Sequence, residues 1–291
     1  MPKNPSSQKI VSPPTQSSSL KPTEALLYFL FRGNKEIDST SVTNVKKAIQ
    51  NSTLKKLHLI VDSPGGDAYS AVKIIRILRT KFDTIVGFVP FTAMSAATLM
   101  LLGTDEIYMS EESQLGPLDL PMEHPLDGTP ISALDVVNTL NQLSTTMMNN
   151  AVSMYQKMRE DLPNGEKIGK TKAMELALSN SVELTKQTAG KIDPYHRQKA
   201  FRKLKIAQWY AYDLLRTGMM KGKPSQSWDT ASNFVSGFPD HSYAIFKEEA
   251  KETLMLTVKD SKIYPGWDAL CLDVQLKRMA SSSPVIEYIE K

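Results

Sequence analysis

The chain of 291 residues contains a single cysteine, Cys271. No intrachain disulfide can form, which suits a reducing compartment. No uninterrupted apolar run of about 18 residues occurs, so no helical membrane span is expected. The opening residues, MPKNPSSQKIVSPPTQSSSLKP, lack the apolar stretch of a signal peptide. Histidine is scarce, four in all, and scattered without the spacing of metal ligands, so neither a metal nor another cofactor is expected. The Gly-Gly turn SPGGD lacks the lysine and the length of a nucleotide phosphate loop. A net charge of +4 is too small for this length to make nucleic acid the main partner. These absences predict a soluble, cytoplasmic protein.

What is present is an ordinary globular composition, 41% hydrophobic and 23% charged. Residues 1–22, rich in Ser, Pro, Gln and Lys, cannot bury enough apolar surface and read as a disordered tail. Beyond them strands and helices alternate. Apolar runs at 25–31, 55–63, 83–90 and 105–110 read as buried strands. Helical spacing falls at Ser39–Ile49, capped by Ser39 or Thr40, then at Asp67–Thr80 and Met94–Leu102. Such β-α alternation predicts parallel strands packed against helices. From about residue 131 to 236 helical patterns dominate, beginning with a long helix over Ser132–Met158. A strand-like piece, His241–Phe246, precedes a short helix, EEAKE.

Two small-residue turns follow predicted strands. SPGGD (63–67) joins a strand to a helix; its glycines allow a sharp turn and leave backbone N–H groups free at a helix start. FTAMSAAT (91–98) places Ser95 at the head of a buried helix, with small neighbours that leave room for a carbonyl. Alone, PGG is a common loop and Ser95 a helix cap. Strand–SPGG–helix followed some thirty residues later by strand–MSAAT–helix is far more specific.

VDSPGGDAYSAVKIIRILR and FVPFTAMSAATLMLLGTDEIYMSEESQLGPLD resemble the Clp protease proteolytic subunit and signal peptide peptidase superfamily. The nearest branch is the serine dehydrogenase proteinase family, which carries T-P-G-G, A-M-S-G-G-T and L-G-P-x-D segments. The resemblance spans about residues 55–120 and returns faintly at about 236–258. It implies an α/β, Clp/crotonase-like fold of stacked β-α units with a helical C-terminal portion. The expected domain covers 23–258, with a helical insertion at about 131–236 and a C-terminal extension at 259–291. It also implies a serine endopeptidase with Ser95 as nucleophile. The turn Gly65-Gly66 and the N–H groups of Gly66 and Ala96 then form the oxyanion and substrate-binding site. Ala96-Ala97 stand where the family has Gly-Gly.

A serine needs a base. The Clp-type histidine would fall near Leu118, where none stands, and no Lys or Arg occurs between Lys81 and Lys157. His241, in FPDHSYAIFKEEAKE, lies where the resemblance places a third catalytic residue, and Asp119 could orient it. The same residues also read as a loop hydrogen bond and a turn cap. His124 sits in a Pro- and Gly-flanked loop, His58 reads as packing within a strand, and His196 as part of a solvated basic helix face. A lysine from distal helices or a second subunit is the remaining choice. The resemblance implies a peptide or protein substrate and a homo-oligomer, with the helix at 132–158 either its interface or intrachain core. Two other classes share the pattern: a catalytically silent scaffold, and a crotonase-like acyl-CoA enzyme that uses backbone N–H groups and needs no serine.

Overall fold

A computed structural model describes residues 24–125, 127–160 and 168–290; the N-terminal tail read from the sequence lies outside them. The apolar runs form β1 (Glu24–Leu30), β2 (Lys56–Asp62), β3 (Thr84–Val89) and β5 (Glu106–Met109). Between them lie α1 (Ser39–Ala48), α2 (Ala68–Lys81), the two-residue strand β4 (Thr92–Ala93) and α3 (Ala96–Leu102). Then come β6 (Gln114–Leu115), the hairpin β7 (Pro121–Glu123) and β8 (Pro130–Ser132), and the helices α4 (Ala133–Arg159), α5 (Lys170–Ala189), α6 (Pro194–Thr217) and α7 (Pro224–Ser236). The chain closes with α8 (Lys247–Glu252), β9 (Val258–Asp260), α9 (Trp267–Ala280) and β10 (Val285–Glu290).

The main sheet has the order β10-β1-β2-β3-β5-β9. All its neighbours are parallel except β10, which runs antiparallel to β1. Both faces are covered, which is why the strands read as near-continuous apolar runs rather than alternations. Ala25, Leu27, Phe29, Leu57, Leu59, Val61 and Ile85 face a large core shared with α1, α2, α3, α6 and α7. Leu26, Tyr28, Leu30, Ile60, Val86 and Phe88 face a second, smaller core closed by Trp267 and Val274 of α9. His58 belongs to this second face, its ring 5.0 Å from that of Phe88 and its Nε2 3.4 Å from Glu24. Burial pulls its imidazole down to about 4, against the pull of Glu24.

Three expectations need correction. The cap of α1 is Asp38, whose carboxylate accepts from the Ser41 N–H while Ser41 Oγ reaches back, a capping box one residue earlier than read. His241–Phe246 is not a strand; only Ile245 pairs, antiparallel to Leu115. The stretch at 259–291 is not an extension beyond the domain. With Val258 it supplies both edge strands of the sheet, β9 beside β5 and β10 beside β1. Among the described residues no helix is long and apolar enough to cross a membrane.

Of the 27 residues of α4 only Ala133 and Ala151 are fully buried. Its partner α5 buries Ala173, Ala177, Ser181 and Thr185. Small side chains let the two helices approach closely, and they leave Met148, Val152, Leu178, Val182 and Leu184 exposed. The long helix is therefore only marginally intrachain core.

Candidate active site

Ser95 occupies the N-cap position of α3 but does not behave as a cap. Its backbone sits at φ 50°, ψ −115°, and its side chain makes no capping bond. A non-glycine residue at positive φ is strained by about 1–3 kcal/mol and needs surroundings that enforce it. Those surroundings are the two turns, laced together through main-chain atoms. Ser63 N–H donates to Thr92 O at 2.9 Å, and Met94 N–H donates to Ser63 O at 3.0 Å. Behind Ser95, Ala97 N–H returns to Met94 O at 2.9 Å. Ser95 is 5% exposed, and its hydroxyl has no hydrogen-bond partner among the described residues.

The glycines of SPGGD are required by contact as well as by φ. Gly65 lies at φ 112°, and a Cβ there would meet Met94 O at 2.8 Å and Ser95 Cβ at 3.1 Å. Gly66 lies at φ 138°, and a Cβ would come within 2.4 Å of Ile37 N. Ile37 N–H donates to Gly65 O and Asp67 N–H donates to Ile37 O, both at 2.8 Å. In this isolated parallel bridge Ile37 bonds to Gly65 O and Asp67 N–H, and the Gly66 N–H takes no part. Neither it nor the Ala96 N–H has a backbone acceptor among the described residues. Ala96 is not at positive φ, so its Cβ adds no backbone strain there.

The GPLD segment packs against the turn that carries Ser95. A Cβ on Gly116 would lie 3.1 Å from Ser95 N, and Gly116 N–H donates to Thr98 Oγ1 at 2.9 Å. Thr98 in turn donates to Ala93 O at 2.6 Å, so this buried hydroxyl ties α3, β4 and GPLD together. The adjoining Leu115 exchanges both main-chain bonds with Ile245 at 2.9 Å, drawing the 241–246 loop alongside. Asp119, 3% exposed, accepts from Leu134 N–H at 3.1 Å at the start of α4. Burial pushes its carboxyl up, while bonds from Ser132 and Leu134 and the nearby His241 oppose the rise. His241 Nδ1 is buried and unpaired among the described residues.

Ser95, Gly65, Gly66 and Ala96 thus lie together. Asp119 and His241 lie near one another on segments attached to the one that packs against the Ser95 turn, and no hydrogen bond joins Ser95 to His241. His124 belongs to the β7–β8 hairpin, its Nδ1 3.2 Å from Asp127. His196 departs from the expected solvated face: it is half-buried on α6, with Nε2 enclosed and unpaired. Lys247 is the lysine nearest in sequence to Ile245, but Asp260 and Glu111 hold its ammonium well above the usual lysine range. A group that must release a proton to act as base is poorly served by such partners.

Thr98, Gly116 and Asp62, whose Oδ1 accepts from Thr92 N–H at 3.3 Å, carry no motif of their own in the sequence. The small residue after Leu115 in LGPLD was the available signal for Gly116; the others become visible only through their partners.

The fold and site can be set beside known proteins. A solved 1510-N membrane-bound stomatin-specific protease aligns over 50% of this chain and 66% of its own, at 15% identity and a TM-score of 0.30. Methylmalonyl CoA decarboxylase aligns over 74% and 92%, at 11% identity and 0.30. An enoyl-CoA hydratase from Mycobacterium marinum aligns over 69% and 95%, at 14% and 0.26. An uncharacterized protein of Methanocaldococcus jannaschii is 38% identical over 65 residues, which is 22% of this chain and only 23% of that protein. The model of the ClpP-like SDH-type serine proteinases matches residues 25–181, more than half of the chain and both turns of the site. The chain belongs to the ClpP-like SDH-type serine proteinase family.

Proposed function

We propose that the protein is a serine endopeptidase in which Ser95 forms an acyl-enzyme with a peptide or protein substrate. The observation that carries this reading is the strained Ser95 backbone, with a free hydroxyl, held against the Gly65-Gly66 turn. In the first step the Ser95 Oγ–carbonyl bond forms while His241 takes the hydroxyl proton. The Gly66 and Ala96 N–H groups receive the negative charge on the carbonyl oxygen. The C–N bond then breaks as the proton passes to the leaving amine, and water repeats the sequence to free the acyl group. Asp119 favours the protonated imidazole by charge. Relative to the Clp-type order, acid and base have exchanged places: the carboxylate stands just after GPL and the histidine in the later loop.

A fluorophosphonate probe tests the nucleophile and the base together. Ser95 is expected to carry the label by mass spectrometry, and His241→Ala to slow labelling by about 100-fold or more. Failure to label Ser95 in the native protein removes the peptidase reading. Normal labelling in His241→Ala assigns the base elsewhere. The loose Ser95–His241 relation favours a second reading, a silent scaffold, and the same experiment separates the two.

The exposed apolar side chains of α4 and α5 are the proposed contact between copies of this chain. Sedimentation velocity is expected to show an oligomer that Val152→Glu with Val182→Glu dissociates. A wild-type monomer at micromolar concentration would remove the proposal.

A further inference from the structure

The family match ends at residue 181, yet a side chain nearly a hundred residues later contacts both turns of the site at their roots. Asp62 is the last residue of β2, immediately before SPGG, and is 1% exposed. Its Oδ1 accepts from Thr92 N–H at 3.3 Å and Thr92 Oγ1 at 3.2 Å. Its Oδ2 has no hydrogen bond but lies 2.7 Å from Arg278 Nη1. Arg278 stands in the last turn of α9, and its guanidinium also lies over the Phe91 ring, 5.7 Å from the centroid. Arg32 Nη1 donates to the Arg278 carbonyl at 3.3 Å and steadies that helix end. Asp62 thus leads into the Gly65-Gly66 turn, and Phe91 opens the turn that carries Ser95.

A buried carboxylate with one unbonded oxygen is costly without a cation beside it. Burial pushes the Asp62 carboxyl up, and Arg278 opposes that rise. Arginine suits the position because its flat, permanently charged fork can pair with a carboxylate and lie on a ring at once. The requirement on the site is geometric. Two N–H groups from separate turns must converge on one oxygen, and a misplacement of about 1 Å can cost on the order of 100-fold in rate.

We propose that Arg278 is a positioning residue for the oxyanion turn. By pairing with Asp62 and lying on Phe91 it fixes the Gly66 N–H relative to the Ala96 N–H, so that α9 belongs to the catalytic unit. The inference rests on the reading of Ser95, Gly66 and Ala96 as the site.

Two measurements on Arg278→Met, Arg278→Lys, Asp62→Asn and the Asp62→Asn/Arg278→Met double variant test it. One is fluorophosphonate labelling of Ser95, resolved into a saturating rate and a half-saturating concentration. The other is backbone hydrogen exchange in segments 62–67 and 91–97. Arg278→Met is expected to lower the saturating rate at least about tenfold, with little change in the half-saturating concentration. Exchange should rise in both segments and not in α5. Arg278→Lys, which keeps the charge but loses the flat face on Phe91, should fall between wild type and Arg278→Met. The double variant should be no worse than the worse single, as coupled partners behave. Should Arg278→Met not fold, Asp62→Asn carries the test through the same two readouts. Unchanged exchange in both segments in a folded variant overturns the proposal, as does an additive loss in the double variant. If the wild type takes no label, the proposed peptidase function fails, and the exchange data alone decide the role of Arg278.

Discussion

Ser95→Ala is expected to abolish fluorophosphonate labelling and to lower peptide hydrolysis by at least about 1000-fold while leaving stability within about 0.5 kcal/mol of wild type. The two halves of this expectation share one cause. The hydroxyl makes no capping bond and has no other partner among the described residues, so its removal leaves nothing unsatisfied. An ordinary N-cap serine would cost about 1 kcal/mol on the same change. Ser95→Gly sharpens the contrast. Glycine adopts φ 50° without penalty, so this variant should be inactive yet more stable by about 1 kcal/mol. Urea unfolding of the three proteins reads both effects. A clear loss of stability in Ser95→Ala would mean that the serine is there for the helix.

Gly66→Ala is the second large effect, and here activity and stability should fall together. The new methyl would stand 2.4 Å from Ile37 N and 2.5 Å from Ile37 O, which are backbone atoms and cannot swing aside. The φ of 138° adds conformational strain of its own. A loss of about 2–4 kcal/mol is expected, with labelling of Ser95 slowed at least about tenfold because the turn must move off Ile37. Gly128→Ala is the control. Its φ is also positive, at 72°, but nothing lies within 4 Å of a Cβ there, so only the backbone term of about 1 kcal/mol remains. If denaturation midpoints show the two variants to be equal, the close approach of Ile37 to the turn does not hold in solution.

Much of the candidate site is legible because its signals are local. Small residues at a strand–helix junction point to sharp turns and close approach, and both turns carry them within a few positions. The apolar runs of β1, β2, β3 and β5 were equally plain, since a parallel sheet covered on both faces leaves no polar alternation to confuse them. Other parts read wrongly for physical reasons. SYAIF looked like a strand from its composition, but one bridge at Ile245 is all that the GPLD segment offers it. The last thirty residues gave little sign that they complete the main sheet, because an edge strand with one half-open face, such as VIEYIE, has a weak apolar pattern.

From the sequence alone came the α/β order, the two turns and the choice of Ser95, each a property of neighbours along the chain. The tertiary structure decided how Ser95 is held: at positive φ, uncapped, against GPLD. It decided that His241 lies near Asp119 and that Arg278 reaches Asp62. These pairings join residues more than a hundred positions apart. They depend on the Leu115–Ile245 bridge and on α9 crossing the second face of the sheet, and no local pattern in a single chain encodes which distant segment supplies the partner.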